Sequence, residues 1–151
     1  MGPLPHASSF RDLVVYQKAA AMAQRVFELT KRFPRDEAFS LTDQFRRASR
    51  SVGGQIAEAW GKRRYEKHFV SKLTDADAEQ LETQHWVSTA LACEYLTSAE
   101  ADEPNAALFE IGNMLNGMKR KAALFCGAED GRVRETEADY FVNAPDIVTD
   151  D

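Results

Sequence analysis

Apolar residues recur at three- and four-residue spacing through four long segments of the chain, and this periodicity constrains the fold more than any other feature. The first segment shows the pattern with Leu13, Tyr16, Ala20, Ala23 and Phe27. No sustained strand-like alternation and no internal repeat occur in the sequence. Each helix must bury its apolar stripe against its neighbours. The sequence therefore predicts an all-α protein, an antiparallel up-down-up-down four-helix bundle.

Proline, glycine and polar stretches mark the ends of the helices. Pro34 ends the first helix, Gly61 ends the second, and the polar residues 98–105 connect the third to the fourth. The apolar stripe of the second helix consists of Leu41, Phe45, Ala48, Val52 and Ile56. The main apolar stripe of the third helix consists of Phe69, Leu73, Ala76, Leu81, Val87, Leu91 and Tyr95. We predict helices over residues 9–32, from 37–40 to 60, 65–97, and from 104 to about 125.

Both ends of the chain lie outside the predicted bundle. Residues 1–8 are proline-rich and uncharged and are typical of a flexible lead-in. Residues 127–151 hold two basic and eight acidic residues and lack sustained periodicity, so we predict a largely disordered acidic C-terminal tail. The folded domain is expected to cover residues 9–126.

Composition and motifs exclude several classes of protein. The 151 residues are 44% hydrophobic, enough for one domain with a core. The two cysteines, Cys93 and Cys126, show no zinc-site spacing. Phosphate-binding loops and nucleophile-elbow motifs are absent, so we predict no enzyme, no cofactor and no metal. Without a signal-peptide pattern or a long apolar run, a cytoplasmic protein with no membrane association is expected.

Basic residues are concentrated in the first half of the chain. Residues 1–72 hold 14 basic and 7 acidic residues, whereas residues 73–151 hold 5 and 17, for a net charge of −5. Such asymmetry indicates a polyanionic or acidic partner, or self-association between unlike faces.

A candidate RNA- or DNA-binding group lies on the second helix and the link that follows it. The arginines of the helix lie opposite its apolar stripe, and Trp60 and Tyr65 beside the link can stack on unpaired bases. In the alternative interpretation, Trp60 closes the end of the bundle and the arginines pair with acids of the third helix. The same group can also dock an acidic protein, as an interaction adaptor with no nucleic-acid role. The predicted binding residues are Arg46, Arg47, Arg50, Lys62, Arg63, Arg64 and Lys67.

A catalytic alternative rests on Arg63 and His68. Their spacing resembles the Arg-x4-6-His signature of the helical ribonuclease domains called HEPN, where a histidine moves a proton and an arginine holds phosphate. A second arginine, Arg64, follows where a polar residue is usual in that signature. A ribonuclease using His68 is therefore a less favoured hypothesis.

A second apolar strip on the third helix indicates self-association. Trp86, Ala90 and Cys93 are spaced one helical turn apart, away from the main stripe of that helix. A helix that is apolar on two sides must be buried on two sides, and a small bundle offers few partners for the second side. The sequence therefore predicts an oligomer whose interface contains these three residues.

Four ordered motifs resemble the bacterial four-helix-bundle family named for 23S rRNA intervening sequences. They are residues 10–19 (FRDLVVYQKA), residues 44–52 with 55–59 (QFRRASRSV and QIAEA), residues 81–84 (LETQ) and residues 113–117 (NMLNG). The chain departs from the family pattern at Gln55, Ala59 and residues 75–78.

The resemblance implies a ring-like homopentamer of four-helix bundles with no established enzymatic activity. It also implies a fold similar to the accessory protein of diversity-generating retroelements, a pentamer that binds nucleic acid.

Overall fold

The fold is entirely helical in the part of the chain that the structure, a computed structural model, describes, which is residues 7–126. The predicted all-α class is confirmed. Residues 1–6 of the predicted lead-in, which covers residues 1–8, and the predicted tail from residue 127 lie outside the described residues. Ala7 is described and is buried. The helices are α1 (Val14–Thr30), α2 (Leu41–Gly61), α3 (Glu66–Ala92), α4 (Ser98–Arg120) and the short α5 (Ala122–Phe125).

The four long helices form one bundle, and short connections make successive helices antiparallel. α2 packs on α1 and α3, α4 packs on α3 and α1, and α5 packs on the start of α3. The predicted first helix begins instead as a 3₁₀ turn, Phe10–Asp12, because Leu13 adopts an extended conformation before α1. No helix within residues 7–126 is both long and apolar enough to span a membrane.

The core takes side chains from all five helices. Each large apolar side chain that is fully buried contributes about 1.5–3 kcal/mol to the free energy of unfolding. The predicted stripe of α2 is entirely buried, and most of the α3 stripe is as well. Leu81 and Leu91 are corrections, because they are 55% and 40% exposed. The largest fully buried side chains include Phe45, Phe69, Phe125, Ile56, Leu73, Leu108 and Leu115.

The turn between α3 and α4 differs from the prediction. α3 ends at Ala92, and Glu94 takes a left-handed conformation with φ of 62°. The amide of Tyr95 donates to the carbonyl of Ala90 at 2.9 Å, which closes a Schellman-type helix end. Thr97 then caps α4. The predicted extension of the third helix to residue 97 is therefore wrong, and Tyr95 lies in the turn.

The predicted polar connection over residues 98–105 is the start of α4. The hydroxyl of Thr97 accepts the amide of Glu100, and the Glu100 carboxylate accepts the amide of Thr97. This reciprocal pair satisfies two backbone donors at the helix start. Pro104 consequently lies inside α4, past its first turn.

Candidate nucleic-acid interface

The structure divides the predicted basic group into two separate surfaces. Arg46, Arg47 and Arg50 lie in the first half of α2, and the link residues follow its last turn. Sixteen residues separate Arg46 from Lys62, which corresponds to about 24 Å of helix. The two surfaces are therefore considered separately below.

Two of the α2 arginines, Arg46 and Arg50, pack around Phe27 of α1. Arg46 donates from Nε to Oγ1 of Thr30 at 2.7 Å, and its Cζ lies 4.8 Å from the centre of the Phe27 ring. Cζ of Arg50 lies 5.6 Å from the same ring, and Nζ of Lys31 lies 4.9 Å from it. Cations over an aromatic face stabilise the packing of α1 on α2. The side chain of Arg46 therefore helps to hold α1 and α2 together.

Lys31 is a member of this cluster that sequence reasoning missed. It follows Phe27 by one helical turn, and that spacing was a usable signal for a cation beside the ring. Phe27 had been assigned to the core stripe, whereas the structure leaves it only half-buried.

The α2 arginines do not pair with acids of α3 as the alternative interpretation expected. Nε of Arg47 lies 2.9 Å from Oδ2 of Asp43, one turn earlier on α2 itself. The contact of Arg46 is with α1, as described above. An exposed pair like that of Arg47 and Asp43 contributes little to stability. Arg47 therefore keeps its charge at the surface.

The link residues meet the end of α4 at one end of the bundle. The rings of Phe69 and Phe125 pack with their centres 5.6 Å apart, which brings the start of α3 beside α5 and the last turn of α4. Residues 62–67 and 119–121 hold seven basic residues and one carboxylate, Glu66. We call these seven residues the basic pole: Lys62, Arg63, Arg64, Lys67, Lys119, Arg120 and Lys121.

Within the basic pole, Arg63 has a structural role. Its Cζ lies 3.4 Å from the centre of the Trp60 ring, and its Nε donates to the carbonyl oxygen of Trp60 at 2.9 Å. Partial burial lowers the pKa of Arg63 from its ordinary value, but a guanidinium stays cationic near neutral pH. Trp60 is 9% exposed, so it closes the end of the bundle and is not open to a stacking base.

Tyr65 is the aromatic residue that the pole presents to solvent. Its side chain is 57% exposed, and the Cζ atom of Arg64 lies 5.9 Å from the centre of its ring. The ring of His68 lies 5.5 Å from that of Tyr65. Together with Lys67, these side chains line an open depression at the start of α3. Cations around an exposed ring are the elements from which single-strand binding sites are built.

The proposed ribonuclease pair is not assembled by these contacts. Arg63 turns back onto Trp60, whereas His68 packs on Tyr65 one turn further along the chain. Among residues 7–126, no three histidine, cysteine or acidic side chains are grouped closely enough to hold a metal ion.

The predicted oligomer strip on α3 requires a correction. Ala90 is completely buried in the bundle, so it offers no surface to a partner. Trp86 is half-buried against the core, and Cys93 is exposed beyond the end of α3. Trp86 and Cys93 therefore do not form a continuous apolar strip with Ala90.

Exposed apolar residues lie instead along the seam between α3 and α4. Leu81 is 55% exposed and Phe109 is 67% exposed. The contact of Gln80 with Gly112 sets the antiparallel register of these two helices. In that register Leu81 and Phe109 fall within about one turn of each other. The sequence pattern had placed Leu81 in the core.

The family model for the 23S rRNA-intervening sequence protein matches residues 11–117. The chain belongs to this family. A solved structure of a protein with unknown function from the S23 ribosomal protein family of Bacteroides thetaiotaomicron VPI-5482 is 28% identical. The similarity covers 71% of this chain and 99% of that one, with a TM-score of 0.65. None of the curated proteins matches the chain at a significant level.

Two of the family motifs face each other across the α3–α4 seam. Gln80 precedes the motif of residues 81–84 and contacts Gly112, which precedes the motif of residues 113–117. Thr83 is fully buried and donates its hydroxyl to the carbonyl of Glu79 at 2.8 Å. In this chain of the 23S rRNA-intervening sequence family, these motifs therefore pack the bundle together.

Proposed function

We propose that the chain is a non-enzymatic, self-associating cytoplasmic protein that binds RNA through the basic pole. The observation that carries the proposal is that two basic segments, residues 62–67 and 119–121, meet at one end of the bundle. Together they hold seven basic residues and one acidic residue, Glu66. Phosphate binding at such a surface releases counterions, which favours association at low salt.

The exposed ring of Tyr65 favours single-stranded RNA over double-stranded RNA as the ligand. Its exposed ring lies beside Arg64, Lys67 and His68 at the rim of the depression. Stacking of an unpaired base on an aromatic ring contributes about 1–3 kcal/mol by alanine substitution. A duplex keeps its bases stacked on one another and cannot use this contact.

The test is fluorescence anisotropy of a labelled 20-nucleotide single-stranded RNA between low and physiological salt. Replacing both Arg64→Ser and Lys67→Ser should weaken binding and reduce the slope of log K against log salt by about 1.4, since about 0.7 is lost per phosphate contact. The control, Arg25→Ser with Arg35→Ser, removes the same charge away from the pole and should bind like the wild type.

Two results would overturn the RNA proposal. One is the absence of salt-dependent binding by the wild type, which would favour an acidic protein as the partner. The other is an equal loss in the pole variant and its control, because binding would then follow net charge alone.

Self-association is supported by Leu81 and Phe109, whose exposed side chains flank one seam. Exposed apolar side chains favour an interface where they join into one contiguous patch, and the register of α3 and α4 places these two close together. Replacing both with serine should lower the assembled mass measured by sedimentation, whereas Phe39→Ser, at a residue 96% exposed before α2, should not. The family resemblance supplies five as the expected number of subunits. A wild-type mass near 16.9 kDa at micromolar concentration would contradict the proposal.

A further inference from the structure

The described residues end beside the basic pole, and an acidic segment follows them in the sequence. Residues 127–151 carry eight acidic and two basic residues and follow directly on Cys126. Phe125 packs on Phe69 at the start of α3. Cys126 is close enough to Arg63 and Glu66 for both charges to act on its thiol. The segment therefore starts within the most basic part of the bundle.

The segment is long enough for its carboxylates to reach the basic pole. Glu129 and Asp130 come three and four residues after Cys126, which limits them to about 10–14 Å from it. A segment of 25 residues spans at most about 83–90 Å when fully extended. All seven basic residues of the pole thus lie within reach of the carboxylates.

We propose that the acidic segment 127–151 docks on the basic pole of its own chain and competes there with polyanions. The docking rests on the position and charge of the segment, and its effect on RNA rests on the proposed function. A tethered ligand acts at an effective concentration in the millimolar range when its linker spans the site. Weak ion pairs are then enough to occupy the pole at low salt. RNA binds by displacing the segment.

The first test measures RNA affinity of the full chain with four carboxylates of the segment replaced by amides. The variant combines Glu129→Gln, Asp130→Asn, Glu135→Gln and Glu137→Gln. At low salt it should bind the 20-nucleotide RNA about tenfold more tightly than the wild type, because four exposed ion pairs no longer compete with the RNA. This gain in affinity should become smaller as the salt concentration rises.

A matched control changes the net charge equally without touching the segment. It combines Asp36→Asn, Glu82→Gln, Glu94→Gln and Asp102→Asn, all outside the pole. Its affinity should change much less than that of the segment variant. Equal gains in both variants would show a general charge effect and overturn competition by the segment.

The second test needs no RNA. Zero-length carbodiimide cross-linking of the full chain at low salt, followed by mass spectrometry, should join carboxylates of the segment to Lys62, Lys67, Lys119 or Lys121 within one chain. Lys31, beside Phe27 near the opposite end of the bundle, is the control and should not be joined. Cross-links at Lys31 as frequent as those at the pole, or none at the pole, would overturn the docking.

The two tests separate the two proposals. Cross-links at the pole in a protein that binds no RNA would leave the docking intact and refute RNA binding. Salt-dependent RNA binding without cross-links at the pole, and with no gain in the segment variant, would refute the docking and leave RNA binding intact.

Discussion

The amide of Gln80 lies where a side chain at position 112 would begin, since a Cβ atom built on Gly112 would be 2.8 Å from Nε2 of Gln80. Gln80 is only 4% exposed. Its Nε2 donates to Asp77 at 3.0 Å, and its Oε1 accepts Nε2 of Gln84 at 2.7 Å. The side chain is therefore held in place, and α4 approaches α3 closely because position 112 is glycine.

We expect Gly112→Ala to destabilise the protein although alanine favours helix. Overpacking costs about 1–3 kcal/mol, against a propensity gain of about 1 kcal/mol. The control is Gly54→Ala in α2, where nothing lies within 4 Å of the new Cβ. Urea unfolding should show Gly54→Ala to be stabilising. Stabilisation by both substitutions to the same extent would mean that Gln80 moves away freely.

Glu94 occupies a left-handed position that usually holds glycine. With φ of 62°, its side chain crowds its own backbone. The variant Glu94→Gly should raise the free energy of unfolding by up to about 1 kcal/mol, because the native turn needs this conformation. Cys93→Gly, one residue earlier with φ of −81°, is the control and should not stabilise. A loss of stability in Glu94→Gly would show that the carboxylate contributes more than the strain.

The Thr97 cap of α4 should be measurable by unfolding at neutral pH. Thr97→Ala removes the acceptor for the Glu100 amide and should lower the free energy of unfolding by about 1 kcal/mol. Thr74→Ala is the control, because the Thr74 hydroxyl bonds only to a carbonyl within its own helix, that of Val70. Comparable losses in both variants would contradict the capping role.

The Glu100 carboxylate should make the stability of the protein depend on pH. The amide of Thr97, and then Arg32, hold the pKa of Glu100 below its ordinary value. A carboxyl group whose pKa is lowered by folding stabilises the folded protein fully at pH values above its ordinary pKa. This stabilisation is lost as the pH falls through the pKa of the folded state. In Glu100→Gln, this part of the stability loss, which sets in as the pH falls below the ordinary value of 4.5, should disappear. The free energy of unfolding is measured by chemical denaturation at each pH. If it falls as steeply at acidic pH in Glu100→Gln as in the wild type, the role given to Glu100 is contradicted.

The two cysteines should differ in reactivity. Burial, and then Glu66, raise the pKa of Cys126 to about 11, partly opposed by Arg63, whereas Cys93 is exposed. Since the thiolate is the reactive form, iodoacetamide at pH 8 should modify Cys93 well before Cys126. Alkylation of Cys126 should accelerate as pH approaches 11. Single Cys→Ser variants show which alkylation rate belongs to which cysteine. Equal rates for the two cysteines at pH 8 would contradict the predicted difference in reactivity.

The sequence predicts the bundle well because its helices are long and strongly periodic. The α2 stripe from Leu41 to Ile56 is buried as expected. The end of α3 was missed because Glu94 takes a left-handed conformation in place of the usual glycine, so no stop signal is visible in the sequence. The spacing of Thr97 and Glu100 is a capping signal for the start of α4, but the polar composition of residues 98–105 instead favours a connection.

The sequence predicts only part of the candidate site. Periodicity places Arg46 and Arg50 on one side of α2, but it does not show that Phe27 and Lys31 of α1 pack against them. The pole joins segments more than fifty residues apart, so only the tertiary contact of Phe69 with Phe125 reveals it. Ala90 was misassigned because a small apolar residue fits equally well in a core or at an interface.

The position of the basic pole changes what the overall charge of the chain means for an approaching phosphate. The screening length at physiological ionic strength is about 8 Å, whereas α4, with its 23 residues, is about 34 Å long. A phosphate at the pole is therefore screened from the carboxylates at the far end of the bundle. It meets the seven basic residues of the pole with Glu66 and Glu58, and it competes with the carboxylates of the segment 127–151, so the net charge of −5 for the whole chain does not describe its surroundings. Association at this end depends on local charge, and an isoelectric point calculated for the whole chain does not predict it.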